Sequence, residues 1–130
     1  SQGGADEAPT MQQAVAAYRI FEGEARLRMS DAEVAARVAA DMAVGDPDAA
    51  ARQFATAMAS GDRSALMRGI TRPALVIHGG DDPWFPLVHA QSTAAALGNA
   101  RIEIVEGMGH IISDEAAPAV AARIAAFVSP

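Results

Sequence analysis

The spacing of apolar residues changes character once along the chain. From Thr10 to Gly69 it is helical: Met11, Val15 and Tyr18, then Val34, Val38 and Met42, then Phe54 and Met58. Residues three or four apart share a helix face, so each set predicts an amphipathic helix with its stripe turned inward. The polar residues at the ends agree. Thr10 with Gln13, and Ser30 with Glu33, have the spacing of a capping box. In that device a hydroxyl accepts one orphan amide and the side chain three residues on accepts another. Asp46-Pro47 opens the third helix, and Gly23, Gly45 and Gly61 stop the three in turn. A short helical turn near Arg63–Arg68 closes the segment.

At Pro73 the pattern becomes that of buried strands. Ala74-Leu75-Val76-Ile77-His78 is a continuous apolar run ending in two glycines, and Arg101-Ile102-Glu103-Ile104-Val105 is a second run. Between them a helix opens at Pro86 and stops at Gly98. A last helix follows Pro118, with Val120, Ile124, Phe127 and Val128 on its inner side. Two strands joined by a helix are parallel. The fold class is therefore α/β: a strand–helix–strand–helix portion of a parallel sheet preceded by an all-helical segment. The organisation is a flexible lead-in over 1–9, a helical cap-like segment over 10–69 and an α/β core segment over 70–130. Two strands make too small a sheet to stand alone. Neighbours from an upstream segment or a second chain are expected.

Composition narrows the function without naming it. Hydrophobic residues make up 51 % of the 130, the net charge is −6, and every cation is Arg. An acidic chain without a basic stripe is a poor nucleic-acid binder. No apolar run approaches the ~20 residues of a membrane span, and no signal peptide is visible, so a cytoplasmic protein is expected. The absence of Cys excludes thiolate metal sites and Cys nucleophiles within the chain. His78, His89 and His110 have no metal-ligand spacing. Neither metal nor cofactor is expected, and the partner is a small-molecule substrate.

The chemistry concentrates at the two strand ends. His78-Gly79-Gly80-Asp81-Asp82-Pro83-Trp84-Phe85-Pro86 follows the first strand, and Gly107-Met108-Gly109-His110 follows the second. In open parallel sheets ligands gather beyond the carboxyl ends of strands. A carboxylate on one imidazole nitrogen fixes the tautomer and leaves the other nitrogen to take a proton from a nucleophile. Asp81 and Asp82 are rival acids on this ground alone. Trp84 and Phe85 either line a substrate pocket or shield the acid from water. His78 is read as structural and His89 as a surface or packing residue.

These segments resemble the C-terminal end of α/β-hydrolases. That family shows a strand, H-G-x-x-D-x-x-x-P, a helix, a strand, G-x-G-H and a closing helix. His78, Gly79, Asp82 and Pro86 match the first motif in register, and Gly107, Gly109 and His110 match the second. The resemblance implies Asp82 as the triad acid, His110 as the base, and the helices of 10–69 as a cap or lid. The order Asp before His suits the family's Ser…Asp/Glu…His order. One part of the pattern is missing: no G-x-S-x-G elbow or variant occurs, and no early oxyanion-hole loop. The implied activity is hydrolysis of an ester or related bond, with the nucleophile upstream or on another chain. The competing reading is a non-catalytic fragment or assembly domain that keeps the acid and base without using them.

Overall fold

Six helices and two strands follow one another over residues 10–46 and 48–129, the residues described by the computed structural model. They are α1 (Met11–Glu22), α2 (Asp31–Val44), α3 (Ala49–Ala59), α4 (Ser64–Arg68), β1 (Ala74–Gly79), α5 (Leu87–Leu97), β2 (Ala100–Val105) and α6 (Ala117–Val128). The lead-in at 1–9, and Pro47 as the opener of the third helix, fall outside the described residues.

Local sequence sets the helix ends. The Thr10 hydroxyl accepts the Gln13 amide at 3.3 Å and the Gln13 side chain accepts the Thr10 amide at 2.8 Å, a complete capping box. At α2 only half of the box forms. Ser30 accepts the Glu33 amide at 3.1 Å, but the Glu33 carboxylate accepts the Asp114 amide at 3.0 Å and Arg37 at 2.9 Å. The carboxylate has left its own helix start to hold a distant loop. α3 begins at Ala49 with Asp48, not Asp46, at its N-cap, and the Asp46 carboxylate accepts the Asp48 amide at 3.2 Å just before the helix.

β1 and β2 pair in parallel, from Ala74 opposite Ala100 to Gly79 opposite Val105. α5 connects them and packs on both. α6 lies on the sheet through Val105, Met108, Ala116 and Val120, a buried cluster that also takes in Leu27 and Ile77. The Arg123 guanidinium donates to the Ile104 carbonyl at 3.1 Å, which anchors α6 to β2. A second cluster, Met29, Val34 and Val38 with Val15, Tyr18 and Ile111, joins α1 to α2. Ile111 comes from the loop after β2, so the helical hairpin rests directly on that loop.

Other apolar stripes stay uncovered. Phe54 and Met58 of α3 are 63 % and 66 % exposed, and α3 packs against no other described element. Met42, Ile124 and Val128, read as inward-facing, are exposed as well. Periodicity selects a helix face but supplies no partner for it. In the strands, only Gly79 and Val105 are buried and most positions are half-buried, because neither strand has a further neighbour among the described residues. Among these residues no helix is long and apolar enough to cross a membrane.

Val34→Ala and Phe54→Ala separate the covered from the uncovered stripe. The first should cost about 2 kcal/mol, from lost transfer and a cavity at a fully buried position. The second should change stability by less than about 0.5 kcal/mol. Equilibrium urea unfolding measures both, and a large loss at Phe54 would show that α3 is packed in solution.

Candidate active site

Backbone contacts draw the two strand ends together before any side chain acts. The Gly80 amide donates to the Val105 carbonyl at 3.0 Å and the Asp81 amide to the Met108 carbonyl at 3.0 Å, so pairing continues past the strands into both loops. The approach is close enough to demand glycine. A Cβ at Gly79 would lie 2.2 Å from the Gly109 carbonyl oxygen. No side chain fits there without parting the loops.

On this base Asp82 and His110 meet. Oδ2 of Asp82 lies 2.9 Å from Nδ1 of His110, across 28 residues of sequence. Oδ1 accepts the Trp84 amide at 2.8 Å and the Phe85 amide at 3.0 Å. The carboxylate thus caps its own loop and orients the imidazole together. Its side chain is only 5 % exposed, while that of His110 is 34 % exposed. Burial pushes the Asp82 carboxyl upward, but the Phe85 amide, His110 and the Trp84 amide outweigh it and hold the group below the ordinary carboxylate value. Asp82 is therefore ionised at neutral pH. Asp81, the rival carboxylate, is exposed and enters the loop through its backbone.

The neighbouring residues sort by contact. Nε2 of His78 lies 2.9 Å from the Phe85 carbonyl and fastens the acid loop to the strand that carries it. Phe85 lies 5.2 Å from the His110 ring, centroid to centroid, and meets His89 edge-on at 5.4 Å. Trp84 stacks on Phe21 at 4.5 Å. Phe21, from the end of α1, had no signal in the sequence. Its helix repeats apolar residues at Met11, Val15 and Tyr18, and nothing local says that the next turn reaches a loop more than sixty residues away.

A cavity of about 700 Å³ opens beside the pair. Its wall includes five consecutive residues of β1, Leu75–Gly79, together with Asp82, Phe85 and His110. Alternate side chains of a strand point to opposite faces, so a wall made of consecutive residues runs along the strand's edge. Ile112, Ile124 and Phe127 make the far side apolar. Phe85 lines the cavity and Trp84 does not. Among the described residues no serine lines it, and the hydroxyl of Thr93, which does, donates to the His89 carbonyl at 2.9 Å. Ser113 is fully buried, with its hydroxyl donating to the Leu27 carbonyl at 2.6 Å. Among the described residues no cluster of three His, Asp or Glu side chains is arranged to hold a metal.

The family model that matches this chain is described as TAP-like protein, an α/β-hydrolase family, and the match runs over residues 37–129. That span contains Asp82 and His110 and leaves out α1. No curated protein matches the chain.

Asp82→Ala should lower stability by about 2 kcal/mol at neutral pH, since the Trp84 and Phe85 amides and the imidazole lose a charged acceptor. The folded-state value of the carboxyl is depressed from 3.8. Its contribution is complete above that unfolded value and is lost as pH falls through the lower folded one. Urea midpoints of wild type and variant should therefore converge at acid pH. A gap that stays constant down to that range would contradict the assignment.

Proposed function

The chain belongs to the TAP-like family of α/β-hydrolase-related proteins, and from that premise we propose that it carries the acid and the base of a nucleophile–His–acid hydrolase. The observation that supports this most is the 2.9 Å contact between Asp82 and His110 at adjacent ends of parallel strands. Asp82 holds the proton on Nδ1 and stays ionised. The other nitrogen of His110 takes the proton of the nucleophile's hydroxyl as that oxygen attacks the substrate carbonyl. It then delivers the proton to the leaving group, and water repeats the cycle on the covalent ester. The imidazolium formed in each half is stabilised by the carboxylate beside it.

In this reading the nucleophile, most readily a serine, and the amides that stabilise the oxyanion come from an upstream segment or a second chain. The uncovered side of β1 supports that, because the cavity along its edge is where a further strand would lie. Segment 70–130 acts as the C-terminal part of the hydrolase core and 10–69 as its cap-like helices. The substrate is a small molecule with an ester or related bond. Phe85 would form part of its apolar wall, and Trp84 would support that wall from behind.

The chain alone should hydrolyse a nitrophenyl acetate no faster than free imidazole at matched pH, since lost oxyanion donors cost about 10²–10³ each. Combined with the nucleophile-bearing segment it should turn over saturably. His110→Ala should then lower kcat by about 10⁶. Saturable, His110-dependent turnover by the chain alone would place the nucleophile within it. A combined enzyme indifferent to His110→Ala would favour the non-catalytic reading.

A further inference from the structure

The last turn of α1 touches the histidine and the acid loop, although it lies outside the span that matches the family. The Phe21 carbonyl accepts the His110 amide at 3.1 Å. The Phe21 ring stacks on Trp84 of the acid loop and lies 5.7 Å from the imidazole, with 27° between the planes. The next residue closes against the histidine loop: a Cβ on Gly109 would lie 2.8 Å from the Glu22 carbonyl oxygen. Gly23, at φ 56°, then leads the chain past Pro83, whose Cβ would be 3.1 Å from any Cβ at that position.

This turn is itself fixed. The Glu22 carboxylate is buried, accepts the Met29 amide, and pairs with Arg19 at 2.7 Å. The Leu27 amide, further along the same connection, donates to the Gly107 carbonyl at 2.6 Å. One short stretch of chain therefore lies against both the acid loop and the histidine loop.

A single hydrogen bond to Asp82 leaves the imidazole free to pivot about it or to turn over. A ring stacked nearby restricts that rotation, and aromatic pairs prefer defined offsets. We propose that Phe21 is a positioning residue: its carbonyl fixes the backbone of His110, and its ring holds the imidazole plane so that Nδ1 stays on Asp82. This rests on the reading of Asp82 and His110 as the working pair. Phe21 acts through them and takes no part in the chemistry itself.

The test is nitrogen NMR of the histidine rings in the whole chain, followed upward in pH until the ring signals stop moving. Wild type should show His110 as one tautomer, protonated on Nδ1. Phe21→Leu keeps apolar bulk without the ring, and should raise the other ring state about two- to tenfold, the population change to which an aromatic pair's contribution converts. Phe21→Tyr keeps the ring and should match wild type. Phe21→Met is a second non-aromatic replacement with the same expectation as leucine, so one folded variant suffices, and the backbone amide spectrum identifies it. A folded leucine or methionine variant with the wild-type tautomer would overturn the proposal, as would a tyrosine variant as disturbed as leucine. Asp82→Asn separates the two readings. If it leaves the tautomer untouched, the pair itself fails and the role of Phe21 with it. If it shifts the tautomer while the non-aromatic variants do not, only the role of Phe21 fails.

Discussion

Two loop backbones lie in contact, and the geometry of the site depends on that contact. Gly79 ends β1 against the carbonyl of Gly109, where a Cβ would stand at 2.2 Å. Gly109 in turn lies against the backbone of Glu22. Three chain segments therefore meet with no side chain between them, and the amides of Gly80 and Asp81 use the closeness to extend the sheet's pairing by two more bonds. Glycine is selected here by space, since φ is positive at neither Gly79 nor Gly109. Any separation of the loops would lengthen the Asp82–His110 contact directly, because each side chain leaves its backbone only a few residues from the junction.

The electrostatics follow from this placement. Burying a carboxylate costs several kcal/mol unless its oxygens are satisfied. Asp82 meets the requirement with two backbone amides on one oxygen and the imidazole on the other. The amides come from its own loop, so the loop must hold its turn for the charge to be tolerated. His78 reinforces that turn through the Phe85 carbonyl. A carboxylate stabilised in this way stays ionised beside the histidine, which is the condition for favouring imidazolium when a proton arrives.

Much of this was legible in the sequence, and what was not has a common cause. The caps at Thr10 and Gly98, the parallel pair of strands, and the positions of Asp82 and His110 all rest on local signals: a hydroxyl before a helix, β-branched runs, glycines at strand ends. Register with a known motif also separated Asp82 from Asp81. The misses were contacts between distant segments. Glu33 fitted a capping box by spacing, yet its carboxylate holds the Asp114 amide. Phe54 and Met58 fitted a buried stripe, yet α3 packs against no other described element. Phe21 and Glu22 sit at a helix end, where a 3.6-residue period carries least information about partners. Periodicity states which face is apolar and leaves open what lies against it.

The half-buried strands and the chemistry of the site are linked through β1. A strand edge with unpaired amides and carbonyls is a template for another strand, and here that edge forms the wall of the cavity beside His110. In a parallel sheet every strand ends on the same side. A strand added beside β1 in the same direction would deliver its own following loop next to Asp82 and His110. In the proposed reading, covering the edge would bring the missing segment to the side of the sheet where the nucleophile is needed. Half-buried strands and a base without a nucleophile are, in the proposed reading, two consequences of the same uncovered edge.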